Sequence, residues 1–331
     1  MKEVNILELH YWLKNQSHSM NALIQNKSEF EFLSIIAEIG KTFEIDLIIE
    51  TEPIAEGGIR RWFKLVSKNE KKNQAISIGV VSALVISVVV TPLNTAITKT
   101  VEILIENILE DEVDKEIKKE ELEGKKLDNE EKRLRIKKLK SEIYGKVDFI
   151  QTNYKIQKRR SNFYEELEKE KSIEKLSFII ENSEKKPLSN EFKVDKHNFK
   201  NYILVSDKVD TDPIENAVIE IISPVLKKGD YKWKGYYNDE AISFNMKSAE
   251  FKTLVQTGKI EFKNGSSINC VLDIEKIIDN EGNEKIISYN ILRVNHYFEN
   301  DKPIETSEGK KQRQQREADE RQLKMFNNYE V

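Results

Sequence analysis

The longest apolar segment of the chain lies between two stretches that are rich in charge. From Asn73 to Thr98, 26 consecutive residues carry no charge, and valine and isoleucine dominate them. A helix of this length extends about 39 Å, whereas the hydrocarbon core of a bilayer is about 30 Å thick. The pattern therefore predicts a membrane-type helix. A run of β-branched residues is also compatible with a buried core helix or with an oligomer-forming segment.

Several residues of this segment are candidates for the lining of a membrane helix or pore. Small residues let membrane helices approach closely, and proline ends or kinks a helix. The predicted membrane or pore residues are Ser77, Gly79, Ser82, Ala83, Val89 and Pro92.

The charges that flank the segment argue against a single crossing of the membrane. Basic residues precede it and acidic residues follow it, which predicts a cytoplasmic N-terminus by the positive-inside rule. A single crossing would then export a C-terminal part that looks cytosolic. A turn at Pro92-Leu93-Asn94 would make the segment a re-entrant hairpin, or the segment would insert only on activation.

The hydrophobic and polar pattern divides the chain into five regions, and the fold class we expect is α+β and multidomain. Residues 1–72 read as a small α/β domain. Residues 73–110 hold the apolar helix or hairpin and a following helix, and residues 111–165 form a charged helical hairpin or coiled coil. Residues 166–300 predict a β-rich ligand-sensing domain, either a barrel or a sandwich. Residues 301–331 are a charged tail.

One strand of the β-rich region alternates aromatic and basic residues. In the string KKGDYKWKGYY, aromatic rings alternate with lysines, so one face of the strand is aromatic and the other basic. This is the pattern of a core face opposite a solvated face, and it is also the pattern of an oligonucleotide-binding face. The candidate ligand residues here are Lys232, Trp233 and Lys234. The pattern also predicts that this strand begins at Tyr231 and that another strand spans Gly258–Phe262.

A second basic string precedes the β-rich region. Charged side chains next to aromatic rings can bind single-stranded nucleic acid, with the charge on phosphates and the rings on bases. The alternative is a basic helix end followed by aromatic residues of the core. The candidate ligand residues of this string are Lys155, Lys158, Arg159 and Arg160, flanked by Tyr154, Phe163 and Tyr164.

The overall composition excludes several function classes. Lys plus Arg number 54 against 58 Asp plus Glu, a net charge of −4, so an anion-binding site must be a local patch. The single cysteine excludes an internal disulfide, and the four histidines have no ligand-spaced partners. No phosphate-binding glycine loop or nucleophile motif occurs. We therefore expect no catalytic residues, no metal and no cofactor, and a protein that is not an enzyme.

The organisation of the chain resembles that of bacterial anti-phage membrane effectors, in particular the effector of the Hailong defence system. The strings that carry this resemblance are SIGVVSALVISVVVTPLNTAIT, IQKRRSNFYEEL and EIISPVLKKGDYKWKGYY. The resemblance implies an abortive-infection effector of the bacterial inner membrane with cytoplasmic domains. It implies a homo-oligomeric channel, a tetramer, held closed by a short single-stranded DNA that a partner nucleotidyltransferase makes. A scaffold or nucleic-acid-binding protein that uses the apolar segment as its core is the alternative.

Overall fold

The chain divides into two compact units, residues 1–206 with 280–283, and residues 207–279 with 284–331. The computed structural model describes residues 4–16, 19–51, 59–67, 78–105, 129–227, 229–263, 265–299 and 302–327. Each unit has its own hydrophobic core. The predicted boundaries at residues 72, 110 and 165 all fall within the first unit.

The first unit is built on an antiparallel five-stranded sheet in the order β2-β3-β1-β4-β5. Its strands are β1 (Val4–Leu13), β2 (Leu47–Thr51), β3 (Ile59–Ser67), β4 (Ile173–Asn182) and β5 (Phe192–Asp195). Residues 4–67 therefore share one sheet with a strand more than 100 residues later, because β1 pairs with both β3 and β4.

The helices of the first unit share one hydrophobic core with this sheet. They are α1 (Ala22–Thr42), α2 (Ile78–Val90), α3 (98–105), α4 (Asn129–Thr152) and α5 (Tyr154–Glu168). Asn21 caps α1 and Asn153 caps α5, since each side-chain oxygen accepts two backbone N–H bonds of the first turn. The first part of the charged arm predicted for residues 111–165 lies outside the described residues.

The largest correction to the sequence prediction concerns the apolar segment. Its helical part, α2, has 13 residues, about 20 Å of helix, and every residue from Ile78 to Val89 is buried. It packs against α1 and against strands β1, β3, β4 and β5. A helix that is apolar on all sides is as typical of a protein core as of a membrane. The predicted membrane helix is therefore wrong here, and α2 is the central helix of the first core.

Residues predicted to line a pore instead have roles inside this core. The Ser82 hydroxyl donates to the Ile78 carbonyl at 2.9 Å, and the Ser87 hydroxyl donates to the Ala83 carbonyl at 2.8 Å. These bonds satisfy the two buried hydroxyls within the helix itself. Gly79, Ala83 and Val89 are buried with them, whereas Ser77 lies outside the described residues. Within the residues that can be described, no helix combines the length and apolar character that a bilayer crossing requires.

The turn expected at Pro92-Leu93-Asn94 is present, but it connects two packed helices. The Thr95 amide donates to the Pro92 carbonyl at 3.1 Å, and the Leu93 amide donates to the Asn201 carbonyl at 3.0 Å. Helix α3 follows, and its buried Val101, Leu104 and Ile105 join the same core as α2. The turn therefore connects α2 to a second helix of the same core.

The second unit is a five-stranded barrel with a short additional strand at each margin. Its elements are β6 (Lys208–Val209), β7 (Ile214–Ser223), β8 (Trp233–Tyr237), β9 (Glu240–Met246), α6 (Ala249–Gln256), β10 (Ser267–Ile278), β11 (Glu284–Glu299), β12 (Lys302–Glu305) and α7 (Ser307–Asn327). Strands β7, β8 and β9 form an antiparallel meander, β9 pairs in parallel with β11, and β10 pairs with both β11 and β7. These pairings close the sheet.

The barrel core explains why buried and exposed residues alternate along β8 and β9. Trp233, Ile242, Phe244 and Met246 point inward, and Phe251 of α6 packs with Trp233 at a ring-centroid distance of 6.5 Å. Gly235 of β8 lies close to the backbone of β7, where an added Cβ would stand 2.6 Å from the Glu220 carbonyl oxygen. Glycine is therefore required for this close strand approach.

Candidate nucleic-acid interface

The outer surface at β8 carries the two lysines selected from the sequence, together with an aromatic residue that was not selected. Lys232, Lys234 and Tyr236 are exposed at alternate positions, and we call these three residues the β8 face. Tyr231 adjoins the face and is 61% exposed, and Tyr236 is 45% exposed. Neither Lys232 nor Lys234 has a side-chain hydrogen bond or ion pair with any described residue. Both ammonium groups are therefore available to an external anion.

Trp233, the third residue predicted for this site, points the other way. It is 0% exposed and lies in the barrel core with Phe244 and Phe262, at ring-centroid distances of 6.2 and 6.0 Å. The alternation of the string is that of a core face opposite an exposed face. The exposed aromatic ring of the strand is Tyr236, which the sequence analysis did not select.

A groove of about 790 Å³ adjoins the β8 face. Its floor is the outer surface of β7 and β8, and its walls are the β7–β8 loop and the segment 258–263 that connects α6 to β10. That segment contains no strand, in contrast to the strand predicted at Gly258–Phe262. The lining residues are Glu220, Ile221, Ile222, Pro224, Leu226, Tyr236, Val255, Gln256, Gly258, Ile260, Glu261, Phe262 and Lys263.

Helix α6 holds the β7–β8 loop in place beside this groove. The Lys252 ammonium donates to the Gly229 carbonyl at 2.9 Å, and the Gln256 amide donates to the Lys227 carbonyl at 3.0 Å. Helix α6 itself is anchored in the barrel by the buried Phe251 and Val255. The β7–β8 loop is thus bonded to a helix that is anchored in the core, which limits the ordering cost of binding.

The second predicted basic string lies on α5, in the first unit, and most of it is used inside the protein. Arg160 is 4% exposed, and its Nη1 donates to the carbonyls of Val88 and Thr91, both at 3.0 Å. The Tyr164 hydroxyl donates to the Val89 carbonyl at 2.7 Å, and the Tyr202 hydroxyl donates to the Val90 carbonyl at 3.0 Å.

These four bonds cap the C-terminal end of α2. The last carbonyls of a helix have no partner inside it, and a cation near them interacts favourably with the helix dipole. Burial lowers the pKa of Arg160 to about 10, so the guanidinium stays charged near neutral pH. Arg160, Tyr164 and Tyr202 therefore satisfy polar groups that would otherwise be unpaired in the core.

The neighbours of Arg160 are similarly placed. Arg159 pairs with Glu31 at 3.0 Å and lies over the Phe30 ring, with its Cζ 5.4 Å from the ring centroid. Lys158 is 5% exposed, whereas Lys155 is exposed. A ligand role for these four residues stays a prediction, and only Lys155 presents an exposed side chain for it.

A buried carboxyl pair on the sheet of the first unit escaped the sequence analysis. Glu8 of β1 and Glu181 of β4 are 4% and 7% exposed, and the Trp62 indole donates to Glu8 at 3.2 Å. Burial, followed by the charge of Glu8, raises the pKa of Glu181 to about 7. Burial and the charge of Arg60 lower the pKa of His10, on the same strand as Glu8, to about 4.

The sequence could not bring these carboxyl groups together, because Glu8 and Glu181 meet only when β1 pairs with β4. In the part of the chain that the structure describes, no group of three or more His, Cys, Asp or Glu residues could hold a metal ion.

Comparison with protein-family models, curated proteins and solved structures finds no match for this chain. The resemblance to anti-phage effectors therefore stays a prediction based on the organisation of the chain.

The barrel can be described by its own connectivity. Its strand order is first, second, third, fifth, fourth and back to first, with a helix between the third and fourth strands. This is the connectivity of the OB fold, a five-stranded Greek-key barrel.

Proposed function

We propose that the barrel of the second unit binds single-stranded nucleic acid across the β8 face. The observation that carries the proposal is the outward placement of Lys234 and Tyr236 on the second strand of a barrel with OB connectivity. Barrels of this connectivity bind oligonucleotides and oligosaccharides on their second and third strands and on the loop between the first two. Connectivity alone does not define a ligand, so the argument rests on the side chains.

The side chains of the face suit a flexible anionic strand with exposed bases. Lys232 and Lys234 supply charge for phosphates, and Tyr231 and Tyr236 supply rings on which bases stack. The outward neighbours on β9, Ala241 and Ser243, are small and leave the β8 side chains accessible. Two free ammonium groups next to exposed rings are the combination that single-strand binding uses.

The proposal concerns the ligand and its site. The abortive-infection role, the tetrameric assembly and the nucleotidyltransferase partner stay predictions from the resemblance. The membrane channel is not part of the proposal, because α2 lies in the core of the first unit.

Binding of a fluorescent seven-nucleotide single-stranded DNA to the full chain tests the proposal by anisotropy at several salt concentrations. We expect Tyr236→Ala to weaken binding by about tenfold, since stacking contributes roughly 1–3 kcal/mol per base. We expect Lys234→Gln to reduce the salt dependence by about one released counterion.

Lys285→Gln is the matched control, because Lys285 is an exposed lysine of β11 that also has no side-chain partner among the described residues. It should change neither the affinity nor the salt dependence. Absence of binding by the wild-type chain at low salt, or a Tyr236→Ala variant that binds like the wild type, would refute the proposal.

A further inference from the structure

Glu220 is a carboxylate beside the ring on which we expect a base to stack. It lies on the outer surface of β7 directly opposite Tyr236 of β8, and both residues line the groove. Opposed residues of an antiparallel pair have Cα atoms about 5 Å apart, so the carboxylate and the ring are neighbours. Among the described residues, no cation or hydrogen-bond donor contacts the Glu220 carboxylate. Glu215 on the same strand differs, since it pairs with Arg293 at 3.3 Å.

A free carboxylate at this position opposes the binding of phosphates. Two like charges about 4 Å apart repel by about 1 kcal/mol even in water. The part of the groove next to Glu220 therefore does not suit the backbone of a bound strand. It suits a base, because Ile222, Leu226 and Phe262 offer apolar contacts next to the Tyr236 ring.

We propose that Glu220 selects guanine in this groove, an inference that rests on the proposed function. An ionised carboxylate has two acceptor oxygens and no donor. The Watson–Crick edge of guanine places the N1–H and N2–H donors side by side, so both oxygens can accept at once. Adenine and cytosine each place an acceptor next to their amino group, and thymine flanks its single N–H with two carbonyls. In a single strand these edges are free to be read.

The groove has the size and the fixed walls that such reading needs. Its volume of about 790 Å³ lies in the range of small-molecule sites. The bonds from Lys252 and Gln256 hold the β7–β8 loop, and Gly235 keeps β7 and β8 close, so the backbone positions of Glu220 and Tyr236 are fixed.

The test compares heptathymidylates whose central base is guanine, hypoxanthine, adenine or thymine. Hypoxanthine keeps the N1–H of guanine and lacks only the 2-amino group, so it isolates the second hydrogen bond. We expect the wild-type chain to bind the guanine oligomer about tenfold more tightly than the hypoxanthine or adenine oligomer, as a bidentate contact allows. Glu220→Gln replaces one acceptor by a donor, so we expect the guanine preference to fall below about twofold while thymidylate binding is kept or strengthened.

Glu240→Gln is the matched control. Glu240 is an exposed carboxylate at the start of β9 that lies outside the groove lining and has no side-chain partner among the described residues. This variant should keep the preference. Thermal unfolding of each variant checks that the barrel is intact, and Glu220→Asp, which keeps the carboxylate, should retain part of the preference.

The outcomes separate the two proposals. If the wild-type chain binds none of the oligomers, the proposed function fails. If it binds them without preferring guanine, or if Glu220→Gln keeps the full preference, only the role of Glu220 is overturned and the β8 face remains a binding site.

Discussion

Replacing Arg160 tests whether the basic string of α5 caps a buried helix or binds a ligand. Arg160→Met keeps a long apolar stem but removes both hydrogen bonds to the carbonyls of Val88 and Thr91 at the C-terminal end of α2. Tyr164→Phe and Tyr202→Phe each remove a single bond to the same helix end. The three variants therefore form a graded series on one structural feature.

The expected cost of Arg160→Met follows from these bonds. Hydrogen bonds from a charged donor contribute roughly 1.5–3 kcal/mol each, so the loss of two is about 3–6 kcal/mol. Removal of the buried guanidinium also relieves its desolvation, the effect that lowers its pKa to about 10. We expect a net loss of about 2–4 kcal/mol in the free energy of unfolding. Each tyrosine variant should lose about 1 kcal/mol.

Urea unfolding followed by tryptophan fluorescence measures these costs. The chain has three tryptophans, of which Trp12 and Trp62 lie in the first unit and Trp233 in the second. In a Trp233→Phe background the fluorescence reports the first unit alone, which avoids mixing two transitions. Arg160→Met should lower the urea midpoint by about 1–2 M.

Lys155→Met is the control, because Lys155 is an exposed lysine of the same helix, and it should change stability by less than about 0.5 kcal/mol. The capping argument fails if Arg160→Met leaves the midpoint unchanged. If that variant also loses affinity for single-stranded DNA while remaining fully stable, Arg160 belongs to a ligand site.

Four further predictions concern both units. Glu181→Gln should raise the free energy of unfolding by about 1–2 kcal/mol above pH 7 and leave it unchanged below pH 4.5. The reason is that the pKa of Glu181 is raised in the folded protein, so the wild-type chain loses stability as pH rises through 7. Urea unfolding at several pH values measures the difference. In the Glu181→Gln variant the free energy of unfolding should rise with pH between 4 and 6.5. The pKa of His10 is lowered in the folded protein, and the opposite pH dependence due to Glu181 is absent from this variant. Leu84→Ala should cost about 2–5 kcal/mol in the same assay, as expected for a fully buried leucine, and a smaller loss would contradict the packing of α2. Gly235→Ala should cost about 1–3 kcal/mol in thermal unfolding of the barrel, because the added Cβ meets the Glu220 carbonyl.

The local pattern of the sequence predicted much of the secondary structure but not the environment of α2. The sequence allows a turn at Pro92 as one of two alternatives and predicts a helix after the apolar segment, and the structure has both. The apolar run is ambiguous for a physical reason. A helix surrounded by protein and a helix surrounded by lipid both need apolar side chains on every side. The difference lies in helix length and in partners such as Tyr164 and Tyr202, which the segment itself does not reveal.

The sheet of the first unit could not be predicted from local pattern at all. β1 and β4 are separated by about 160 residues, and their pairing depends on the packing of the intervening helices. The burial of Glu8 and Glu181, and the raised pKa of Glu181, follow from that pairing. The strands of the barrel were easier to predict from the sequence. β7, β8 and β9 are consecutive strands with short connections, and polar and apolar residues alternate clearly along them.

Basic residues that look alike in the sequence differ in what surrounds them once the chain folds. On β3, Arg61 pairs with Glu29 and Lys64 pairs with Glu50, each at 3.0 Å. On α5, Arg160 is held by helix carbonyls. On the β8 face, Lys232 and Lys234 have no acceptor among the described residues. Cations that already have acceptors would have to break those contacts to bind a ligand, whereas those of β8 would not. This difference, rather than the density of charge, favours the β8 face as the anion-binding surface.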